Sequence, residues 1–353
     1  MAETDSIVAE TADRIFADLA DAQSINSVKN DGWKKPLWTA LTDAGLPLSW
    51  VADEHGGSGA SLAEGFGVVS AAGRHALSVP LVETMLAGWL LSQAGIHSPT
   101  GAMTVAPSSP RDRMTLNADG TLSGRGRGIP FASDTTHIAV ITETTKGLVI
   151  ALAETSACRI EPGENLGGDA SNVVTFDRVK PVVSKAAPKD FTPISLMLMG
   201  ATVRSLQIAG ALETLLNLSV AYANERVAFE KKIAKFQAIQ HSLAQLAGEA
   251  AAAVTASGSA ADTIANGADN DIMMLEAASA KIRCAEAAEK GTAIAHQVFG
   301  AIGFSMEHIL HRYSLRALAW RDDFGHESYW ATELGKFVAA RGADELWPLI
   351  ASR

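Results

Sequence analysis

Cysteine is almost missing: Cys158 and Cys284 are the only two in 353 residues, and they lie far apart. That excludes a disulfide framework or a metal knuckle of recognisable spacing, and free thiols fit a reducing cytoplasm. No run approaches the roughly 20 apolar residues that a membrane span needs, and the amino terminus, Met-Ala-Glu-Thr-Asp, is acidic where a secretory signal would be basic. Positive charge is in deficit, 29 Lys+Arg against 39 Asp+Glu. The net charge of -10 argues against nucleic acid and anionic membrane surfaces as partners. Phosphate loops are missing too: there is no G-x-x-x-x-G-K-[ST]. Gly124-Arg-Gly-Arg-Gly128 has neither G-x-G-x-x-G spacing nor a following helix, so it reads as a turn in a β-rich stretch. His308 and His311 lack an acidic or cysteine companion at ligand spacing, so no metal site is expected.

What is present is apolar and periodic. At 47% hydrophobic and 19% charged the chain must pack a core, and at about 150 residues per domain its length predicts two or three domains. The expected fold is α+β and multidomain. Residues 1–102 read as a helical domain, with Ile7, Ile15, Phe16 and Leu19 at helical spacing and helices over about 61–74 and 80–95. Residues 103–184 read as a small β domain, carried by the runs 138–142, 148–152 and 173–176. Residues 185–353 read as a helical bundle with helices near 193–225, 236–266, 270–299, 306–318 and 326–340, and Pro181 and Pro188 mark a linker before it. The glycine turn at 55–59, with Glu54 beside it, reads as structural, and Trp33, Trp38, Trp320 and Trp330 read as core or interface residues.

Two segments carry candidate chemistry. Asn224 to His241 concentrates Arg226, Lys231, Lys232 and Lys235 in an acidic chain; arginine's planar fork suits a phosphate or pyrophosphate, and Phe229 could cover an adjacent ring. The alternative is a solvated helix end. His296 to Phe304 closes an alanine-rich helix with Gly300 and Gly303, where backbone amides can approach a ligand or simply cap the helix.

Taken together these features resemble the acyl-CoA dehydrogenase family along nearly the whole chain. Leu37 to Leu46 and Val51 to Ser61 resemble its N-terminal helical domain and glycine turn. Arg226-Val-Ala-Phe229 with Phe236-Gln237, and Gln297-Val-Phe-Gly300-Ala301-Ile-Gly303, resemble its two cofactor motifs. The resemblance implies FAD at a subunit interface, with Arg226 on the pyrophosphate, Phe229 and Gln237 along the adenosine end, and Gln297, Gly300 and Ala301 lining the dinucleotide.

Three departures stand out. Glu230 takes the place of a motif glycine, and Ala301 replaces the second glycine. The segments that hold the flavin ring in the family are reduced to Thr104-Val-Ala-Pro-Ser-Ser109 and Gly128-Ile-Pro-Phe-Ala-Ser133. The two positions that carry the family's glutamate base are Gly200 and Phe324, leaving Asp323, one residue off, as a weak candidate for the base.

The resemblance then implies a supporting subunit of a heterotetrameric acyl-CoA dehydrogenase. It would lend Arg226, Phe229, Gln237, Gln297 and Gly300 to an FAD shared with a longer subunit that supplies the base, and the substrate would be an acyl-CoA thioester, by analogy one with a steroid side chain. One alternative is a homo-oligomeric enzyme using Asp323 or Glu307. The other is a structural member of the fold that binds no flavin.

Overall fold

The computed structural model describes residues 6–351 apart from Lys29 and Lys146. Five helices come first: α1 (Ile7–Leu19), α2 (Ala22–Val28), α3 (Lys34–Asp43), α4 (Leu62–Arg74) and α5 (Leu81–Gln93). The start of α4 is fixed by a capping box: the Ser61 hydroxyl accepts the Glu64 N–H at 3.2 Å while the Glu64 carboxylate accepts the Ser61 N–H at 2.9 Å. The glycine turn before it is tied back by Ser58 N–H to Leu48 O and Gly59 N–H to Val51 O. A Cβ at Gly57 would stand 1.9 Å from Val51 O, which accounts for that glycine sterically.

Eight strands follow: β1 (Met103–Ala106), β2 (Met114–Leu116), β3 (Leu122–Pro130), β4 (His137–Thr144), β5 (Gly147–Glu154), β6 (Arg159–Glu161), β7 (Ser171–Val179) and β8 (Val183–Ala186). They form one sheet in the order β6-β7-β3-β2-β4-β5-β8, with β1 added beside β4. Its pairs are antiparallel except β1 with β4 and β2 with β4. Strand β4 is buried on both faces: Ala139 and Ile141 face the helices, and Ile138 and Val140 face the sheet's own core with Val174 and Phe176 of β7. The expected turn at Gly124 to Gly128 is instead the middle of β3, where two register shifts absorb the glycines at φ +146° and +66°. The expected linker near 180–190 contains β8, which zips antiparallel onto β5.

The chain then becomes helical again with α6 (Ser195–Glu225), a hairpin of β9 (Val227–Ala228) and β10 (Lys231–Lys232), α7 (Gln237–Ala265), α8 (Asn270–Phe299), α9 (Leu310–Trp320), α10 (Glu327–Arg341) and α11 (Leu346–Ala351). Helix α9 starts later than periodicity predicts, because a 3-10 turn over Gly300–Phe304 follows α8. Buried alanines, among them Ala253 of α7 and Ala277, Ala285 and Ala288 of α8, let the long helices approach closely. Helix α6 runs through the centre and packs against α4, α7, α8 and α9. By length and composition it is apolar enough to cross a membrane, yet 94% of that stretch is buried inside the fold.

Candidate functional site

At one end of the bundle, the last turns of α6 and α8 meet through Tyr222 stacked on Phe299, ring centroids 4.3 Å apart. Arg226 caps α6, the β9–β10 hairpin turns back, Gln237 opens α7, and Gln297, Gly300 and Ala301 close α8. The six residues expected to bind the dinucleotide therefore sit on one end of the bundle, and all are exposed. The side chains of Arg226, Gln237 and Gln297 hold no hydrogen bond or ion pair among the described residues. Phe229 is 89% exposed, and a Cβ at Gly300, φ +63°, would touch nothing. A free guanidinium, two free amides, an aromatic face and an open glycine are groups of a kind that fits the adenosine diphosphate half of a dinucleotide. Glu230, at the motif glycine's place, keeps the left-handed backbone (φ +65°) that glycine favours.

The two segments expected near a flavin ring lie side by side: Thr104 donates to Pro130 O at 2.7 Å, and the Ser108 hydroxyl to Gly128 O at 3.0 Å. Phe324 N–H also donates to Ser108 O at 3.0 Å, so the first segment is joined directly to the loop after α9. A cavity of about 1220 Å³ opens between the sheet and the first turns of α6, lined in part by Met114, Ile141, Leu148, Ile194, Met197 and Tyr329.

The two positions at which the resemblance leads us to expect a base, Gly200 and Phe324, are in contact. A Cβ at Gly200 would stand 2.3 Å from the Phe324 ring, so the fully buried phenylalanine occupies the notch that the glycine leaves. The carbonyl of Phe324 accepts the Trp330 indole N–H at 2.9 Å.

Asp323 is committed elsewhere. Arg204, 1% exposed, donates Nε to Asp323 and Nη2 to Glu83 at 2.9 and 2.7 Å, and Nη1 to Gln207. Burial raises the Glu83 and Asp323 carboxyls above their ordinary range, against the pull of Arg204. Lys281 of α8 donates to the Trp320 and Arg321 carbonyls at 2.8 Å each, and burial pushes its ammonium down to about 7. Glu307 lies before α9 while Asp323 lies after it, so an 11-residue helix, roughly 16 Å long, separates the two alternative bases. Sequence reasoning missed Glu83, Arg204 and Lys281. The available signal was a lone charge within each apolar run, Val82-Glu-Thr-Met85, Val203-Arg-Ser-Leu206 and Ala280-Lys-Ile282. The tryptophans are core residues as expected: Trp330 is fully buried, Trp320 is 3% exposed, and Trp33 and Trp38 pack against the main core.

A helical domain, a sheet inserted beside it and a bundle built on one long central helix define the acyl-CoA dehydrogenase fold. A chain of the ChsE4-ChsE5 complex from Mycobacterium tuberculosis superposes with a TM-score of 0.87 at 20% identity, covering 97% of this chain and 99% of that one. A chain of the Tcur3481-Tcur3483 steroid ACAD G363A variant gives 0.82 at 23% identity, with 94% and 97% covered. Residues 194–325 match the acyl-CoA dehydrogenase C-terminal domain. Acyl-CoA dehydrogenase IpdE2 of Mycobacterium tuberculosis (strain ATCC 25618 / H37Rv) is 27% identical over 319 residues, 90% of this chain and 88% of that protein. Along the chain the fold is that of the acyl-CoA dehydrogenases, and within it residues 194–325 match their C-terminal domain.

Proposed function

We propose that this chain is a cytoplasmic subunit of a heteromeric acyl-CoA dehydrogenase, holding the adenosine diphosphate side of an interfacial FAD while a longer partner chain supplies the catalytic base. The observation that carries this reading is the interlock of Phe324 with Gly200: an aromatic ring fills the space where either family position would have to project a carboxylate. FAD, when bound, supplies hydride acceptance from the β carbon of the thioester. Removal of the α proton needs a positioned carboxylate, and here Asp323 is held by Arg204.

What this chain contributes is binding. Arg226 would pair with the pyrophosphate, Phe229 and Gln237 would lie along the adenosine, and Gln297 with the backbone at Gly300 and Ala301 would line the dinucleotide. Arg226→Ala should weaken FAD retention by the assembled complex by about 1.5–3 kcal/mol, the loss of a charge-assisted bond; equilibrium dialysis giving unchanged retention would refute the assignment. The flavin spectrum of the chain alone is the companion test: colourless alone and yellow only with a longer partner is the expected result. Two free thiols, the half-buried Cys158 and the buried Cys284, fit a reducing compartment.

A homo-oligomeric enzyme is the second reading, favoured by the cavity of about 1220 Å³ that the chain retains against Met197 and Tyr329. A space of that size exceeds the usual range for small ligands and suits a bulky acyl group such as a steroid side chain. Full activity of the isolated chain, lost in Asp323→Asn, would establish this reading in place of the first.

A further inference from the structure

The cavity of about 1220 Å³ between the sheet and α6 combines apolar walls with two side chains that have hydrogen-bond donors to spare. Met114 and Ile141 of the sheet and Met197 of α6 are buried along it, with Leu148 and Ile194 half-buried beside them. Arg113 is the only cation on the lining among the described residues. Standing just before β2, it donates Nη1 to Pro110 O at 2.7 Å and to Asp112 O at 2.9 Å, which fixes the guanidinium and leaves Nε and Nη2 free. It is exposed and joins no ion pair among the described residues.

Two carboxylates line the same cavity, and neither pairs with Arg113. Asp112 is taken by Arg127, which donates its backbone N–H at 2.6 Å and its Nε and Nη2 at 2.9 and 2.7 Å. Glu143 is exposed to water. The second donor is the Tyr329 hydroxyl, in the first turn of α10, which makes no hydrogen bond among the described residues. Its ring is held edge-on to Trp330, centroids 5.2 Å apart. Burial, aided by Glu333, raises the phenol above its ordinary value, and the Arg113 charge pulls it back. The hydroxyl is therefore a donor at neutral pH and lies within the field of the guanidinium. Glu333 itself is held by Lys336 at 2.8 Å.

A free guanidinium edge and a phenol beside an apolar wall match the needs of one carboxylate on a hydrocarbon body. A coenzyme A thioester, with its several phosphate charges, finds a single cation here. We propose that this cavity binds an apolar carboxylic acid in its free form, the carboxylate received by Arg113 and Tyr329 and the body by Met114, Ile141, Leu148, Ile194 and Met197. A free carboxylate lacks the thioester carbonyl that acidifies an α proton, so this ligand is held and not dehydrogenated. The inference rests on the shared-FAD reading only in leaving the cavity without a base. Acid binding is measured without flavin, so either can fail without the other.

The test is calorimetric titration of the full chain with lithocholic acid and with dodecanoic acid, each beside its methyl ester and its coenzyme A thioester. At least one acid should bind, its methyl ester at least tenfold more weakly, and its thioester no better than the ester. Arg113→Met should weaken acid binding about tenfold or more and leave the ester unchanged, Arg113→Lys should lose less, and Tyr329→Phe should lose about threefold, each with wild-type circular dichroism. The comparison of acid with ester needs only the wild type, so it stands even where a variant does not fold. Binding of neither acid, an ester or thioester held as tightly as its acid, or an Arg113→Met chain with wild-type affinity would each overturn the proposal.

Discussion

Lys281 is an ammonium donor placed in the interior with no carboxylate touching it; its partners are two carbonyls at the last turn of α9. Desolvation is the main cause of its fall from 10.5 to about 7. Between those values the unfolded chain binds a proton that the folded chain does not, so folding stability rises with pH through this window. The penalty is fully present below about 7 and relieved above it, at up to about 1.4 kcal/mol per pH unit. Thermal unfolding followed from pH 6 upward should show this rise in the wild type, and Lys281→Met should flatten it. An unchanged slope in the variant would mean that the ammonium stays protonated inside the fold. Arg204 belongs to the same neighbourhood but is buried with two carboxylates, so its removal acts through Glu83 and Asp323 rather than through its own proton.

At the scale of an element, the β9–β10 hairpin turns through Phe229 and Glu230, both left-handed, at φ +52° and +65°. An L residue costs roughly 1–2 kcal/mol in that region, whereas glycine adopts it freely. Glu230→Gly should therefore leave stability within about 0.5 kcal/mol of the wild type or raise it, and Glu230→Ile should cost about 1–2 kcal/mol, both measured by urea unfolding. If Glu230→Gly were as costly as the isoleucine, the side chain and not the backbone would be what matters there. The hairpin also marks what was legible in the sequence. Arg226 and Phe229 were singled out by their own side-chain chemistry and Gln237 by the family resemblance, and the fold brings all three to one end of the bundle. The long helices were legible because alanine faces repeat every turn. Glycines 124 and 128 misled, since a bulged strand and a turn both use φ above zero and only pairing with β7 distinguishes them. The Glu83, Arg204 and Lys281 group was not legible, because its members come from α5, α6 and α8 and meet only after the helices pack.

At the scale of the whole molecule, one buried carboxylate is shared by all three parts. Asp169, in the loop before β7, accepts from Ser78 ahead of α5 and from Arg316 of α9, so one carboxylate touches the N-terminal helices, the sheet and the bundle. Asp169→Asn leaves Arg316 as an uncompensated buried cation and should cost about 3–5 kcal/mol. Calorimetry should then show the single unfolding transition broaden or split as the sheet loosens from the helices. A variant that melts as one unit at the wild-type temperature would show that this joint is not what couples the parts. Helix α6 imposes a further demand, on biosynthesis. One side of it packs on α4, but the rest of its apolar surface is covered by α7, α8 and α9, which are made after it. At ribosomal rates this surface waits roughly 5–19 s for the next quarter or so of the chain, through the end of α9, to appear. A nascent chain paused within that interval presents a segment as greasy as a membrane anchor, so yields of the intact protein should follow chaperone supply and translation speed more closely than the stability of the finished fold.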